Sequence, residues 1–131
     1  MPNMANITVK AANGTTDVVY SAMTPASGDG TAAQWRAEGS GASAAVRATL
    51  SVTSKYNGPK TARRVTAEFQ LPQVAMVTGV ETVMNRVPVA LTIAVPLHAP
   101  DAVIDEAVAQ ATNLFSSTLF RSMLKTGYAA S

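Results

Sequence analysis

Apolar residues recur at every second position through most of the chain and change to helical spacing only past Pro96. The longest alternating stretch runs from Arg47 to Leu71. Val46, Ala48, Leu50 and Val52 on one arm, and Val65, Ala67, Phe69 and Leu71 on the other, share one face of a β-hairpin. Asn57-Gly58 lies between the arms and is a two-residue type I′ turn signal, because both central residues of that turn need φ > 0. With Tyr56 and Pro59 flanking the turn, Pro59 stands at a strand start, where its missing N–H does least harm. The spacing then predicts the facing pairs Lys55/Lys60, Thr53/Ala62, Ser51/Arg64, Thr49/Thr66 and Arg47/Glu68, all opposite the apolar side. One side of the hairpin is oily, and the other carries hydroxyls and mostly positive charge.

The same reasoning orders the rest of the chain. Residues 6–10 and 16–22 around Asn13-Gly14 predict a smaller hairpin, residues 24–31 a loop, and residues 33–38 around Trp35 another strand. GSGAS at 39–43 is a turn or tip, and the main hairpin then occupies residues 44–71. Pro72 marks the end of its second strand or an edge position. Residues 74–84, rich in Val and Met around Gly79, predict a hairpin loop with an apolar surface. Alternation returns at Arg86, with Val87, Val89, Leu91, Ile93 and Val95 facing one way. Pro88 argues for an edge position, a bulge or a later strand start.

Beyond Pro96, Asp101 is a candidate helix N-cap and Asp105 and Glu106 suit a positive first turn. Val103, Ile104, Ala107, Val108, Ala111, Leu114 and Phe115 form an apolar stripe. Ser116-Ser117 interrupts it. A second helix carries Leu119, Phe120, Met123 and Leu124, with Arg121 and Lys125 toward its end and Gly127 as a stop. Strands followed by helices predict an α+β fold with an antiparallel sheet and the helices on one face. The expected layout is one domain, 1–131, with a hairpin at about 6–22, a sheet at about 33–95 and helices at about 102–125. Two short helices cover only part of such a sheet, so a symmetric dimer is expected to supply the missing cover and to remove an exposed edge.

Composition narrows the chemistry. Apolar residues make up 47% and charged residues only 14%, against roughly a quarter charged in an ordinary soluble domain. The net charge is +2, but six of the ten Lys and Arg (Arg47, Lys55, Lys60, Arg63, Arg64 and Arg86) fall between Arg47 and Arg86. The absence of cysteine excludes disulfides, thiolate catalysis and cysteine metal sites. No leader-like segment and no run of about 18 apolar residues is present, so a soluble chain with no membrane partner is expected. His98 is the only histidine and has no ligand or acid/base partner nearby in sequence. GSG at 39–41 lacks the lysine of a phosphate loop, and Ser116-Ser117, Ser40 and Ser43 lack a nucleophile-elbow context. No enzymatic activity, metal or cofactor is expected. A lone Trp35 in a strand reads as core or interface.

Several segments, in shared order and spacing over roughly 100 residues, resemble the coat proteins of the single-stranded RNA bacteriophages, the levivirus group. They are NGTTDVV (Asn13 to Val19), DGTAAQW (Asp29 to Trp35), TLSV (Thr49 to Val52), the turn region NGPKTARRV, FQLPQVA (Phe69 to Ala75), TGVE (Thr78 to Glu81) and ALTI (Ala90 to Ile93). The resemblance implies an N-terminal hairpin, an antiparallel sheet facing a particle interior, and two C-terminal helices interlocked with those of a second subunit. It implies dimers that build an icosahedral shell in the host cytoplasm around genomic RNA and bind an RNA hairpin as translational repressor and packaging signal. Thr49, Ser51 and Thr66 match positions that grip adenines. Arg47, Lys55, Lys60 and Arg64 are assigned to phosphates, and Thr53 and Arg86 complete the expected RNA surface. Arg86 and Pro88 stand where some members place a stacking aromatic and an amide, and Glu68 where the residue can be basic. Met76, Val77, Gly79, Val80 and Val83 are the expected inter-subunit loop. The alternative reading is a dimeric RNA-binding regulator that forms no shell.

Overall fold

The computed structural model describes residues 2–38 and 46–131. Among them are six strands, β1 (Ile7–Lys10), β2 (Asp17–Thr24), β3 (Ala32–Ala37), β4 (Thr49–Tyr56), β5 (Ala62–Val77) and β6 (Val80–Pro96), followed by α1 (Asp101–Phe115) and α2 (Thr118–Thr126). The strands form one sheet in chain order, β1-β2-β3-β4-β5-β6, and each neighbouring pair from β1/β2 to β4/β5 is antiparallel. The α+β order therefore follows the change of period at Pro96. The turn expected at 39–43 and the start of the main hairpin at 44 lie outside the described residues. The chain divides into two compact units, Met1–Ala94 and Val95–Ser131.

In the first hairpin Lys10 faces Asp17 and pairs with it. Asn13 organises the connection, since its Oδ1 accepts from the backbone N–H of Thr15 and Thr16 at 3.0 and 2.9 Å, and Gly14 takes the left-handed φ of 75°.

The main hairpin keeps its faces but not its expected register. A two-residue turn at Asn57-Gly58 would need the N–H of residue 59 to close on Tyr56, and Pro59 has none. The connection is longer. The Asn57 N–H donates to the Ala62 carbonyl at 3.0 Å, Asn57 Oδ1 accepts from the N–H of Thr61 and Ala62, and Lys60 is the left-handed residue at φ 56°. Strand β5 accordingly begins at Ala62, and Pro59 stays in the loop. The observed pairs are Lys55↔Arg64, Thr53↔Thr66, Ser51↔Glu68 and Thr49↔Gln70, replacing Lys55/Lys60, Thr53/Ala62, Ser51/Arg64 and Thr49/Thr66. Arg47 precedes β4 and is not the partner of Glu68. Each partner moves by four residues along β5, an even number, so no side chain changes face.

The apolar loop expected at 74–84 is also corrected. β5 and β6 continue to a turn at Thr78-Gly79, both with positive φ (50° and 79°), the signature of a tight hairpin. Pro72 does not end β5. It lies beyond Gln70, the last β5 residue paired with β4, where no ladder with that strand remains to be broken. Pro88 lies in β6, the last strand of the sheet order, as an edge proline should.

Tyr20, Ala37 and Ala48 form the buried cluster of the sheet unit, with Ile7, Val18, Trp35 and Phe69 packed against it. Tyr20 and Phe69 meet edge to face at 6.1 Å, and the Trp35 indole N–H donates to the Ala5 carbonyl at 2.9 Å. Trp35 is thus a packing residue. Among the described residues no large side chain is fully buried, and Leu71, Val87, Val89 and Leu91 are exposed.

In the second unit α1 starts one residue earlier than the Asp101 cap would have it. Pro100 holds the cap position, its carbonyl accepts from the N–H of Val103 and Ile104, and Asp101 lies in the first turn, where a carboxylate suits the positive helix end. Ser117 caps α2 by accepting from the Phe120 N–H, and Gly127 ends it at φ 81°. Phe115 and Phe120 pack at 5.1 Å across the break. Neither helix buries a residue.

A Cβ at Gly79 would meet nothing within 4 Å, so Gly79→Ala isolates the backbone cost of the left-handed conformation, about 1 kcal/mol. The urea midpoint should fall accordingly, and Gly79→Asn should recover part of it because Asn tolerates that region. An unchanged midpoint in both would show that the turn does not depend on positive φ.

Candidate nucleic-acid interface

The strand registers place side chains in rows across the polar face of the sheet. One row is Ser21, Arg36, Thr49 and Gln70, the next Gln34, Ser51 and Glu68, the next Ala32, Thr53 and Thr66, and the last Lys55 and Arg64. The hydroxyl residues Thr49, Ser51, Thr53 and Thr66 are half-buried, while Lys55 and Arg64 are exposed. Hydroxyls set low between strands with cations above them at one end can meet base edges, 2′-OH groups and phosphates together. Lys55 and Arg64 are directly opposite each other. Like charges so placed oppose the pairing, and an anion across them would turn that repulsion into attraction.

Six of the nine residues expected to contact RNA therefore share this face: Thr49, Ser51, Thr53, Lys55, Arg64 and Thr66. The other three do not join them in the ladder. Lys60 lies in the connecting loop, Arg47 precedes β4, and Arg86 is an exposed residue of β6, the strand next to β5. The expected inter-subunit residues Met76, Val77, Gly79 and Val80 cluster at the β5–β6 turn, with Met76 67% and Val80 63% exposed, and Val83 is half-buried on β6.

Arg63, adjacent in sequence to Arg64, points to different chemistry. Its guanidinium donates to Asp29 Oδ1 at 2.7 Å and to Ser54 Oγ at 2.9 Å, and lies 4.2 Å from the centre of the Tyr56 ring. Asp29 Oδ2 accepts from the Tyr56 N–H at 3.1 Å, and the Gly30 N–H donates to the Ser54 carbonyl at 2.9 Å. The β2–β3 connection is thereby tied to the tip of the main hairpin. The backbone N–H of Tyr56, then Arg63, hold the Asp29 carboxyl below its ordinary range, and the Asp29 bond raises the Arg63 guanidinium.

Sequence reasoning missed Gln34 and Arg36. Both alternate with Trp35 on β3, and the registers bring them onto the polar face beside Ser51 and Thr49. The Q-W-R pattern carried the signal, but strand adjacency was needed to place it. Among the described residues no group of three or more His, Cys, Asp or Glu could hold a metal ion, and none of the helices is long and apolar enough to cross a membrane. His98 is exposed in the turn before α1.

Solved structures share this fold over almost the whole chain. The virus-like particle protein of Beihai levi-like virus 21 matches at a TM-score of 0.85 with 16% identity, over 99% of each chain. That of bacteriophage NT-214 matches at 0.83 with 22% identity over 99% of this chain and 100% of its own, and the bacteriophage EMS014 coat protein at 0.80 with 15% identity over 99% and 100%. The fold is thus the one used by phage coat and virus-like-particle proteins. No protein-family model matches the sequence, and no curated protein is similar to it.

The Asp29 tie has a defined pH dependence. Its folded pKa lies below the ordinary 3.8, so its contribution is complete above that value and is lost as pH falls through the lower, folded one. The protection of the Tyr56 amide, the slowing of its exchange relative to an unstructured amide at the same pH, should be high at neutral pH and fall as pH drops below about 4. Asp29→Asn should remove this pH dependence and speed exchange at neutral pH. Equal Tyr56 protection in variant and parent would show that Asp29 does not hold the hairpin tip.

Proposed function

We propose that the chain is the coat protein of a small RNA bacteriophage, whose dimers assemble into an icosahedral shell around genomic RNA and bind an RNA hairpin on the polar face of the sheet. The observation that carries this reading is the full-length fold likeness to phage virus-like-particle proteins. Two further features support it. The chain exposes apolar side chains in both of its units: Leu71, Val87, Val89 and Leu91 in one, and Val103, Leu114, Leu119 and Leu124 in the other. Burying a Val or Leu side chain fully is worth about 1.5–3 kcal/mol, so a second copy covering these surfaces would contribute several times that. The exposed Met76, Val77 and Val80 at the β5–β6 turn suit contacts between dimers. In this reading the protein acts in the virion, without enzymatic activity or cofactor. Lys55 and Arg64 hold phosphate oxygens, and Thr49, Ser51, Thr53 and Thr66 meet bases and 2′-OH groups, with Arg47, Lys60 and Arg86 adding charge around them.

Expression of the chain alone in bacteria should give closed particles by electron microscopy, with a raised 260/280 nm absorbance ratio from enclosed RNA. A species that stops at the dimer and binds RNA would replace the shell with a regulator, and RNA-free monomers would exclude both readings.

Within the proposal, Arg64→Ala should weaken RNA binding and reduce the slope of log K against log salt by about 0.7, the release expected from one single-strand phosphate contact. Dimer formation should be unaffected by size-exclusion chromatography. Binding equal to the parent at every salt concentration would remove this face from the RNA-binding surface.

A further inference from the structure

Arg36 on β3 faces Ser21 on β2 and Thr49 on β4, within the row that ends at Gln70 on β5. Its side chain is half-buried, and its Nε is buried with no hydrogen-bond partner. Nearly all such groups in folded proteins are partnered, so this guanidinium has hydrogen-bonding capacity that the chain itself does not use. The nearest carboxylates by register are otherwise placed: Glu38 accepts from Ser21 Oγ, and Glu68 stands opposite Ser51, across β4 from β3. The ion pairs found among the described residues engage Lys10 and Arg63 instead.

Thr49, beside Arg36, and Lys55, beside Arg64, are six residues apart on β4, or about 20 Å at the rise of a strand. Ser51, Thr53 and Thr66 lie between them. Two cationic poles this far apart, with a hydroxyl floor between, exceed the reach of one phosphate or nucleoside and fit a ligand carrying phosphates along its length.

We infer that Arg36 is the second cationic pole of this face, taking phosphate oxygens of an RNA that runs obliquely across β3, β4 and β5 from Arg36 to Lys55 and Arg64. This rests on the RNA-binding reading above. The guanidinium fork supplies paired donors that a lysine cannot reproduce, so the site is one of geometry as well as charge.

The test titrates RNA-stripped protein with a fluorescein-labelled RNA stem-loop at several salt concentrations. Arg36→Met keeps the apolar stem and removes the charge. It should weaken binding about tenfold and lower the salt slope by about 0.7. Arg36→Lys should keep the slope and lose several-fold in affinity. Combined with Arg64→Ala, Arg36→Met should multiply the separate losses, as expected for sites more than about 10 Å apart. Parent-like binding by Arg36→Met, or by Arg36→Lys where Arg36→Met does not fold, would overturn the inference while a loss in Arg64→Ala upheld the RNA-binding face. Parent-like binding by Arg64→Ala and the Arg36 variants alike would remove that face altogether. A change in particle assembly without a change in RNA affinity would assign Arg36 to a contact between copies of the chain, and would also overturn it.

Discussion

Parity in the β4–β5 ladder is the constraint on which the rest of the sheet depends. Side chains alternate across a strand, so any pairing with an odd offset would bring Thr49, Ser51 and Thr53 level with Val65, Ala67 and Phe69. The observed register pairs like with like: Leu50 with Phe69 and Val52 with Ala67 on one side, Thr53 with Thr66 and Lys55 with Arg64 on the other. Strand β3 continues the separation, placing Trp35 opposite Leu50 and Gln34 opposite Ser51. The packed cluster around Tyr20 and Ala48 and the polar face therefore have one cause.

The same sheet leaves a debt in apolar area. The buried residues of the sheet unit are few and mostly small, since Ala37 and Ala48 bury little surface each, and Tyr20 is the largest among them. Helices of 15 and 9 residues with no buried side chain are at or below the length at which isolated helices hold in water. Stability on this scale has to come from further burial, and both units offer apolar side chains for it. That is the physical reason the proposed assembly, and not the isolated chain, would supply the burial that these surfaces lack.

Much of this was legible in the sequence because it depends on period. The alternation in Leu50/Val52 and Val65/Ala67/Phe69, the change past Pro96, the Ser117 break and the Gly127 stop each leave a local mark. Register did not, because it turned on a missing hydrogen atom: Pro59 cannot close a turn at Asn57-Gly58, and the loop grew until Asn57 could bond Thr61 and Ala62. The stretch from Val74 to Met84 reads as a loop in sequence because its Val and Met content gives no clear alternation, whereas in the structure Thr78-Gly79 supplies a tight turn with positive φ. Arg36 and Gln34 were invisible as site residues because their neighbours are 13 and 17 positions away in the chain and meet them only through the β3–β4 ladder.

The arrangement of charge also separates what the fold needs from what a ligand would need. Arg63 has its acceptors within the chain, in Asp29 and Ser54, and serves the hairpin tip. One position on, Arg64 is Lys55's partner in the ladder, and both side chains are exposed like charges, which oppose the pairing rather than support it. A fold selected for stability alone would place an acidic or neutral residue at one of these two positions, as it does at Asp17 opposite Lys10. An anion shared between Lys55 and Arg64 would turn that repulsion into attraction, so the like-charge pair is a feature that ligand binding, and not folding, would use.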